Sequence, residues 1–132
     1  RAKQLLKTTG ANLFDAPTKS LEYLGQFDSY HDVAIKVVRE DGQPVIILRY
    51  SASEQTVSLE KYNDDQQRVA SVETTSQFDV HMLMDTSSIE LFTNQGEACF
   101  SERIYCEEAV HIETISEVST DTIQIYQLGG MA

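Results

Sequence analysis

Residues 32–48, Asp-Val-Ala-Ile-Lys-Val-Val-Arg-Glu-Asp-Gly-Gln-Pro-Val-Ile-Ile-Leu, carry the pattern that decides the fold. Apolar residues alternate with others over 33–37, and this period of two predicts a strand with one buried face. A polar turn follows, in which Gly42 can adopt a positive φ. The unbroken run Val45–Leu48 predicts a second strand, covered on both sides, and Pro44 can begin it because the first residue needs no ladder N–H. The stretch therefore predicts a β-hairpin.

Seven further short strands, separated by polar turns, are predicted between this hairpin and the C-terminus. They are Thr56–Tyr62, Arg68–Glu73, Phe78–Asp85, Ser88–Thr93, Ala98–Tyr105, Val110–Ile115 and Thr122–Leu128. Many short strands at regular spacing, with almost no helical periodicity, are typical of a sandwich or barrel. We expect an all-β fold, a two-layer antiparallel β-sandwich over residues 19–132.

The first 18 residues lack this alternation. Residues 1–7 contain helix-favouring residues but are too few for a stable isolated helix, and residues 12–18, with Pro17, resemble a loop. We expect residues 1–18 to be a linker remnant with a short helical segment. Its apolar side chains should form an exposed patch that faces another domain. They are Leu5, Leu6, Leu13 and Phe14.

The charge of the chain argues against two classes of partner. It has 21 acidic residues against 10 Lys and Arg, a formal net charge of −11. Phosphate backbones and anionic membrane surfaces would be repelled, because affinity for them comes mainly from Lys and Arg. No apolar run approaches the ~18 residues that a membrane span needs. We expect no nucleic-acid partner and no membrane partner.

The cysteines and histidines give no sign of a disulfide framework or a zinc site. Cys99 and Cys106 lie seven residues apart on one predicted strand, so their side chains should point to opposite faces. Reduced thiols are expected, which suits a cytoplasmic protein. The sequence also lacks a glycine-rich phosphate loop, and neither a metal nor a cofactor is expected.

Residues 85–96, Asp-Thr-Ser-Ser-Ile-Glu-Leu-Phe-Thr-Asn-Gln-Gly, are the most informative segment. The acidic first residue and the two serines can hydrogen-bond neighbouring N–H groups and close a turn. In the strand that follows, Ile89 and Leu91 share one face, while Glu90 and Phe92 share the other. The segment therefore predicts a turn followed by a half-buried strand.

The end of this segment predicts a hairpin. Asn94, Gln95 and Gly96 suit a three-residue loop in which Gly96 takes the left-handed position of a bulge. The next strand then returns antiparallel, which should bring Phe92 close to Phe100 across the pair.

This segment resembles the signature of the C-terminal domain of glycoside hydrolase family 32. There an Asp, two serines, Ile-Glu, an aliphatic residue and Phe lead into an Asn-containing turn with Gly. The similarity extends backwards through Phe78–Met84 and forwards through Ser101–Tyr105. The resemblance gives the matched residues a structural role. They are Asp85, Ser87, Ser88, Ile89, Glu90, Phe92, Asn94, Gly96 and Arg103.

The resemblance implies a part of an enzyme that does not hold its chemistry. Family members join an N-terminal five-bladed β-propeller, which is catalytic, to such a sandwich, and they cleave β-fructosyl units from sucrose, sucrose phosphate or fructans with retention. Retention needs two carboxyl groups ~5 Å apart. The family's catalytic motifs contain Trp, Asp-Pro and Glu-Cys, and this chain has none of the three. Glu90 is expected to make a structural hydrogen bond or salt bridge.

We therefore expect a non-catalytic module of a β-fructofuranosidase, a glycosidase of sucrose metabolism. Its expected partner is the propeller of the same polypeptide, and a homodimer in addition is left open. A stand-alone lectin-like module that binds carbohydrate is the second interpretation, and a generic interaction domain is the third. The lectin interpretation depends on a sugar-stacking platform of tyrosines, for which core or rim positions are the favoured alternative. They are Tyr23, Tyr30, Tyr50 and Tyr62.

The remaining candidates for catalysis have simpler explanations. Ser87 and Ser88 lack the Gly-x-Ser-x-Gly elbow of a nucleophile. His81 and His111 occupy alternating strand positions, which favours surface or core roles. The adjacent acidic pairs at 64–65 and 107–108 lie in predicted turns, where solvated charge is expected. No catalytic residue is assigned.

Overall fold

The structure is a computed structural model that describes residues 3–8, 13–18, 20–39, 41–61, 67–85, 88–94, 96–103, 110–116 and 122–128. Over these residues the backbone forms twelve strands and no helix. The strands are β1 Lys3–Thr8, β2 Leu13–Thr18, β3 Leu21–Asp28, β4 Val33–Arg39, β5 Pro44–Ser51, β6 Thr56–Lys61, β7 Gln67–Ser71, β8 Gln77–Met84, β9 Ser88–Thr93, β10 Ala98–Arg103, β11 Val110–Ser116 and β12 Thr122–Leu128. The seven strands predicted after the first hairpin are confirmed, with ends that differ by at most two residues.

The strands form two antiparallel sheets of six strands each. Sheet A has the order β1-β12-β3-β8-β9-β10, and sheet B has the order β2-β11-β4-β5-β6-β7. Each sheet contains a meander of consecutive strands, β8–β10 in sheet A and β4–β7 in sheet B. The first strands of the chain pair with the last ones, so the remaining half of each sheet is closed by contacts between distant residues. The predicted all-β, two-layer antiparallel sandwich is confirmed.

The prediction of a helical segment and a loop before residue 19 is wrong, because both segments are strands. β1 pairs with β12 and β2 pairs with β11, each at the edge of its sheet. Pro17 is tolerated in β2 because an edge strand has N–H groups that need no ladder partner. Helix propensity over six or seven residues is weak, and an unpaired sheet edge overrides it. The predicted apolar patch falls on side chains outside those the structure describes. The link to a preceding domain stays a prediction.

The hairpin predicted over residues 32–48 is confirmed as β4 and β5, with Gly42 at a φ of +91°. Ile46 and Leu48 face the core and are buried. Ile47 is half-buried on the outer face of sheet B. The expectation that this strand is covered on both sides is therefore wrong at Ile47.

β3 was not predicted from its sequence, although it lies inside sheet A between β12 and β8. Gly25 interrupts the apolar alternation of the strand at an inward-facing position, opposite Val80. The rings of Tyr23 and Phe27 fill the space beside it, and a Cβ on Gly25 would lie 2.7–2.9 Å from their carbon atoms. The missing side chain is thus replaced by two large neighbours.

The core lies between the two sheets and is joined by tyrosines from both. The Tyr50 ring stacks on Phe78 of the opposite sheet, with ring centroids 4.1 Å apart. The Tyr50 hydroxyl donates to the Ser29 carbonyl at 2.7 Å. The Tyr23 hydroxyl lies 2.8 Å from Thr114 Oγ1 across the two sheets. The favoured interpretation of these two tyrosines as core residues is confirmed, so they cannot belong to a sugar-stacking platform.

A carboxylate closes the sandwich at the edges formed by β7 and β10. Glu102 of β10 is 10% exposed and contacts two cations of sheet B. Arg68 Nε lies 2.5 Å from one carboxylate oxygen, and Lys61 Nζ lies 3.6 Å from the other. Lys61 Nζ also donates to the Arg103 carbonyl at 3.1 Å. This cluster ties the open edges of the two sheets together.

Candidate functional site

The family-like segment begins with the expected turn. Asp85 Oδ1 accepts a hydrogen bond from Ser88 N at 2.9 Å, and Asp85 N donates to the Ser88 carbonyl at 3.0 Å. Ser87 lies outside the described residues. The Asp85 side chain therefore fixes the connection from β8 into β9, which is a structural role.

The two faces of β9 are as predicted. Ile89 and Leu91 are buried between the sheets, and Glu90 is exposed on the outer face of sheet A. The predicted contact between Phe92 and Phe100 is wrong. Phe100 is opposite Leu91 and faces the core, whereas Phe92 is opposite Cys99 and half-buried on the outer face. A register difference of one residue places the two rings on opposite sides of the sheet.

The hairpin after β9 has the predicted Gly96 at a φ of +89°, but its loop has four residues, 94–97, where three were predicted. Asn94 adopts a φ of +51°. Its Nδ2 donates to the Glu73 carbonyl at 2.9 Å and to the Glu97 carboxylate. Glu97 in turn accepts from Glu73 N at 3.0 Å. These contacts fix the hairpin against the connection between β7 and β8.

The remaining matched residues lie apart from one another. Arg103 is exposed at the end of β10, opposite Ser88. Glu90 is opposite Leu83 and Ser101 in the sheet, and its expected hydrogen bond or salt bridge stays a prediction. The described family-like residues thus occupy both faces and both ends of two strands, and of them only Phe92 and Gly96 line a common groove.

A groove of about 560 Å³ lies on the outer face of sheet A. Strand register places four of its side chains in one row, each opposite the next in the neighbouring strand. They are Gln124 of β12, Leu24 of β3, His81 of β8 and Phe92 of β9. The turn at Gly96 closes one end. The groove therefore spans four strands and combines polar and apolar side chains.

One side chain of the groove, His81, belongs to an imidazole–carboxylate pair with Glu22. His81 Nε2 is 2.7 Å from Glu22 Oε2. The Glu22 side chain is 11% exposed and the His81 side chain is 39% exposed. The His81 ring also lies 6.0 Å from the Phe92 ring, centroid to centroid, at 42°. His81 was predicted as a surface or core histidine. Glu22 was not predicted from the sequence. The one feature that could have indicated it is its place in β3, on the face opposite to the buried apolar side chains.

A second groove, of about 470 Å³, lies on the outer face of sheet B. Two exposed apolar side chains line it, Val69 at 59% and Ile115 at 50%. Arg49, which also lines it, pairs with Glu60 at the exposed surface. This face therefore presents more uncovered aliphatic surface than the groove on sheet A.

Glu22, Asp79 and Glu90, on the outer face of sheet A, occupy strand positions too far apart for a retaining pair. Asp79 is opposite Gln26, four residues along β3 from Glu22, so at ~3.3 Å per residue the two acids are ~13 Å apart. Glu90 is two strands from Glu22, which separates them by ~10 Å at ~4.8 Å per strand. A retaining glycosidase needs ~5–5.5 Å. The acidic pairs at 64–65 and 107–108 lie outside the described residues.

No group of three or more His, Cys, Asp and Glu residues in the described ranges could hold a metal ion. The same ranges contain no helix long and apolar enough to cross a membrane.

Comparison with known proteins identifies a family and a shared fold. The family model "Glycosyl hydrolases family 32 C terminal" matches residues 3–127. The exo-inulinase of Aspergillus awamori shares 17% identity at a TM-score of 0.74, over 97% of this chain and 29% of the enzyme. The sucrose-6-phosphate hydrolase of Lactobacillus gasseri shares 11% at 0.77, over 98% and 28%. A galectin of Caenorhabditis elegans shares 12% at 0.63, over 93% and 94%.

These matches differ in what they cover. The chain spans less than a third of the length of the two enzymes and nearly the whole of the galectin. At these identities the structural likeness shows the fold alone. No curated protein matches the chain.

Proposed function

Because the chain belongs to the family of glycosyl hydrolase family 32 C-terminal domains, we propose that it is the non-catalytic accessory module of a β-fructofuranosidase. The observation that carries the proposal is the match to this family over residues 3–127. The positions of three acidic residues on sheet A support it, because Glu22, Asp79 and Glu90 are ~10 Å or more apart along and across the strands, against the ~5 Å needed for retention. The module stabilises its catalytic partner and takes no part in bond cleavage.

The proposed partner is an N-terminal five-bladed β-propeller of the same polypeptide. The fraction of the two enzymes that this chain covers leaves room for such a domain. We place the contact on the outer face of sheet B, because Val69 and Ile115 expose aliphatic surface there. The two side chains are at opposite ends of one row across the sheet, with Arg49 and Ser58 among the residues between them. Exposed apolar side chains on one face favour a protein contact. A homodimer is the alternative use of this face.

The proposed substrate of the parent enzyme is sucrose or sucrose 6-phosphate. The support is the fold shared with a protein described as a sucrose-6-phosphate hydrolase. We also place the protein in the cytoplasm, since the free, exposed Cys99 thiol suits a reducing compartment. Cell fractionation with an antibody to the chain tests this location, and recovery from the medium would contradict it.

Two measurements test the accessory role. The 132-residue chain alone should release no fructose from sucrose or sucrose 6-phosphate above the buffer blank. Sustained turnover by the purified chain would refute the proposal. In the longer polypeptide that carries the catalytic domain, Val69→Asp and Ile115→Asp should lower the melting temperature.

The contact on sheet B needs its own control. The same two substitutions in the isolated chain should leave its melting temperature nearly unchanged, because both side chains are exposed. Tyr30→Asp, at a residue 71% exposed in the turn between β3 and β4, is the matched control in the longer polypeptide. Equal melting temperatures for all three variants and the parent would rule out docking through sheet B. A lower dimer fraction with an unchanged monomer would indicate the homodimer.

A stand-alone carbohydrate-binding sandwich is the second candidate. The observation in its favour is that a sandwich of this extent forms nearly the whole of a galectin chain. An immunoblot of native extract decides between the two candidates. A band at the mass of the 132-residue chain supports the stand-alone module, and a band several times larger supports the accessory module.

A further inference from the structure

The groove on the outer face of sheet A has the size and composition of a ligand site. Its volume of about 560 Å³ lies within the ~300–1,000 Å³ typical of small-molecule sites. Its walls are largely apolar, with Leu24 and Phe92 in the central row. A few polar groups, from His81, Gln26 and Gln124, point into the same space. Such a combination fixes a ligand's orientation while its apolar side is covered.

The His81–Glu22 pair prepares one polar contact in advance. Glu22 is only 11% exposed, and its carboxylate oxygen is 2.7 Å from His81 Nε2. With Nε2 engaged by the Glu22 carboxylate, Nδ1 is the ring nitrogen left to contact a ligand hydroxyl, which can donate or accept. Among the described residues Nδ1 has no hydrogen-bond partner. A ligand hydroxyl can contact that atom without disturbing the pair.

The charge of the groove selects the class of ligand. The lining residues, all within the described part of the chain, include Asp79 but no Lys or Arg. An anionic ligand such as a sugar phosphate would find no Lys or Arg among these lining residues, in a chain of net charge −11. Side-chain amides both donate and accept, as hydroxyl groups do. A neutral polyhydroxy ligand therefore fits, and a phosphorylated one does not.

The Phe92 ring supplies an apolar surface for such a ligand. It is half-buried on the outer face and lies beside the His81 ring, 6.0 Å away between centroids. A sugar presents its C–H groups on one face of the ring and its hydroxyls around the rim. Phe92 can cover the C–H face while His81 and Gln124 contact the rim.

We propose that the groove lined by His81, Phe92 and Gln124, with His81 held by Glu22, binds a neutral saccharide of about one or two sugar rings. The proposed site goes beyond the accessory role and does not depend on it. In a fructosidase it would hold part of a neutral fructan chain on the module. The proposal predicts that the module binds neutral sugars more tightly than phosphorylated ones.

The test is a titration of the isotope-labelled chain followed by amide chemical shifts. The probes are sucrose, a fructosyl trisaccharide, maltose and sucrose 6-phosphate. Saturable shifts at residues around 81, 92 and 124 with at least one neutral sugar, and at least tenfold weaker binding of the phosphate ester, are expected. Shifts that map only to sheet B, or no saturable shifts with any neutral sugar, would overturn the proposal.

Variants separate binding at this site from effects on the fold. Phe92→Ala and His81→Gln should each weaken binding at least tenfold while keeping the melting temperature within a few degrees, because both side chains are on the outer face. His111→Gln is the matched control, since His111 lies on β11 of sheet B with Glu113 3.7 Å away, and it should bind normally. If His81→Gln does not fold, Phe92→Ala decides. Unchanged affinity in Phe92→Ala would refute the site.

Failure of the saccharide site and failure of the accessory role give different experimental results. A chain that binds no sugar but raises the melting temperature of the catalytic domain loses this site and keeps the accessory role. A chain that binds neutral sugar yet occurs alone in extracts keeps the site and loses the accessory role.

Discussion

Gly25 offers a sharp test of the packing inside the sandwich. In Gly25→Ala, the new Cβ would lie 2.7 and 2.8 Å from two Phe27 ring carbons and 2.9 Å from one of Tyr23. Ordinary contacts between carbon atoms begin at ~3.5 Å, so each ring would have to retreat by ~0.6–0.8 Å. Both rings are buried, and the Tyr23 hydroxyl is held 2.8 Å from Thr114 Oγ1. The rings therefore have little freedom to move.

The expected loss follows from these distances. Overpacking of a well-packed core costs ~1–3 kcal/mol, and the restrained rings favour the upper half of this range. For a chain of 132 residues, at an unfolding entropy of ~2.1 cal/mol/K per residue, a loss of ~2 kcal/mol lowers the melting temperature by about 7 °C. Thermal and urea unfolding followed by circular dichroism measures both quantities. Gln26→Ala, at the exposed neighbouring position, is the control and should shift the midpoint by less than about 2 °C.

A double variant tests the stated cause. Phe27→Leu removes two of the three crowded carbon atoms, so Gly25→Ala combined with Phe27→Leu should be at least ~1 kcal/mol more stable than the sum of the single losses predicts. Strict additivity, or a melting temperature for Gly25→Ala equal to that of the parent, would refute the reasoning.

Two further predictions concern contacts that join the sheets. Tyr50→Phe keeps the ring stack but removes a buried hydroxyl, so it should lower the free energy of unfolding in urea by ~1–2 kcal/mol. Tyr30→Phe, at the surface, should leave that free energy unchanged. Equal urea midpoints for the two variants would contradict a role for the Tyr50 hydroxyl. Glu102→Ala should lower the free energy of unfolding by ~1–3 kcal/mol, because it removes the carboxylate that contacts two cations between β7 and β10. Glu60→Ala removes one partner of an exposed ion pair and should lower it by less than ~1 kcal/mol. The reverse order would show that Glu102 does not tie the sheets.

Much of the fold was predictable because the signals are local. Period-two alternation identifies which residues of a strand face the core, and it correctly placed Ile89 inside and Glu90 outside. Turn chemistry correctly placed positive φ at Gly42 and Gly96. The signal failed where a local cue was missing or misleading. Gly25 broke the alternation of β3.

The candidate site was harder to predict. His81 was identified only as a strand histidine, and its partner Glu22 is 59 residues away in a strand that the sequence analysis did not assign. Phe92 was assigned to the correct face but to the wrong neighbour, because its opposite residue depends on the register of the returning strand. The face on which a residue lies depends only on whether its position in the strand is odd or even. The residue opposite it in the next strand depends also on the register of the two strands.

The sequence by itself determined that the chain is all-β, which residues point inward, and where several tight turns lie. These properties follow from backbone sterics and from the burial of alternate side chains over a few residues. Only the tertiary structure decided that β1 pairs with β12 and β2 with β11, and that Glu22, His81 and Phe92 meet on one face of sheet A. Alternation says nothing about which strands become neighbours. That choice is made by packing and hydrogen bonding between residues far apart in the chain.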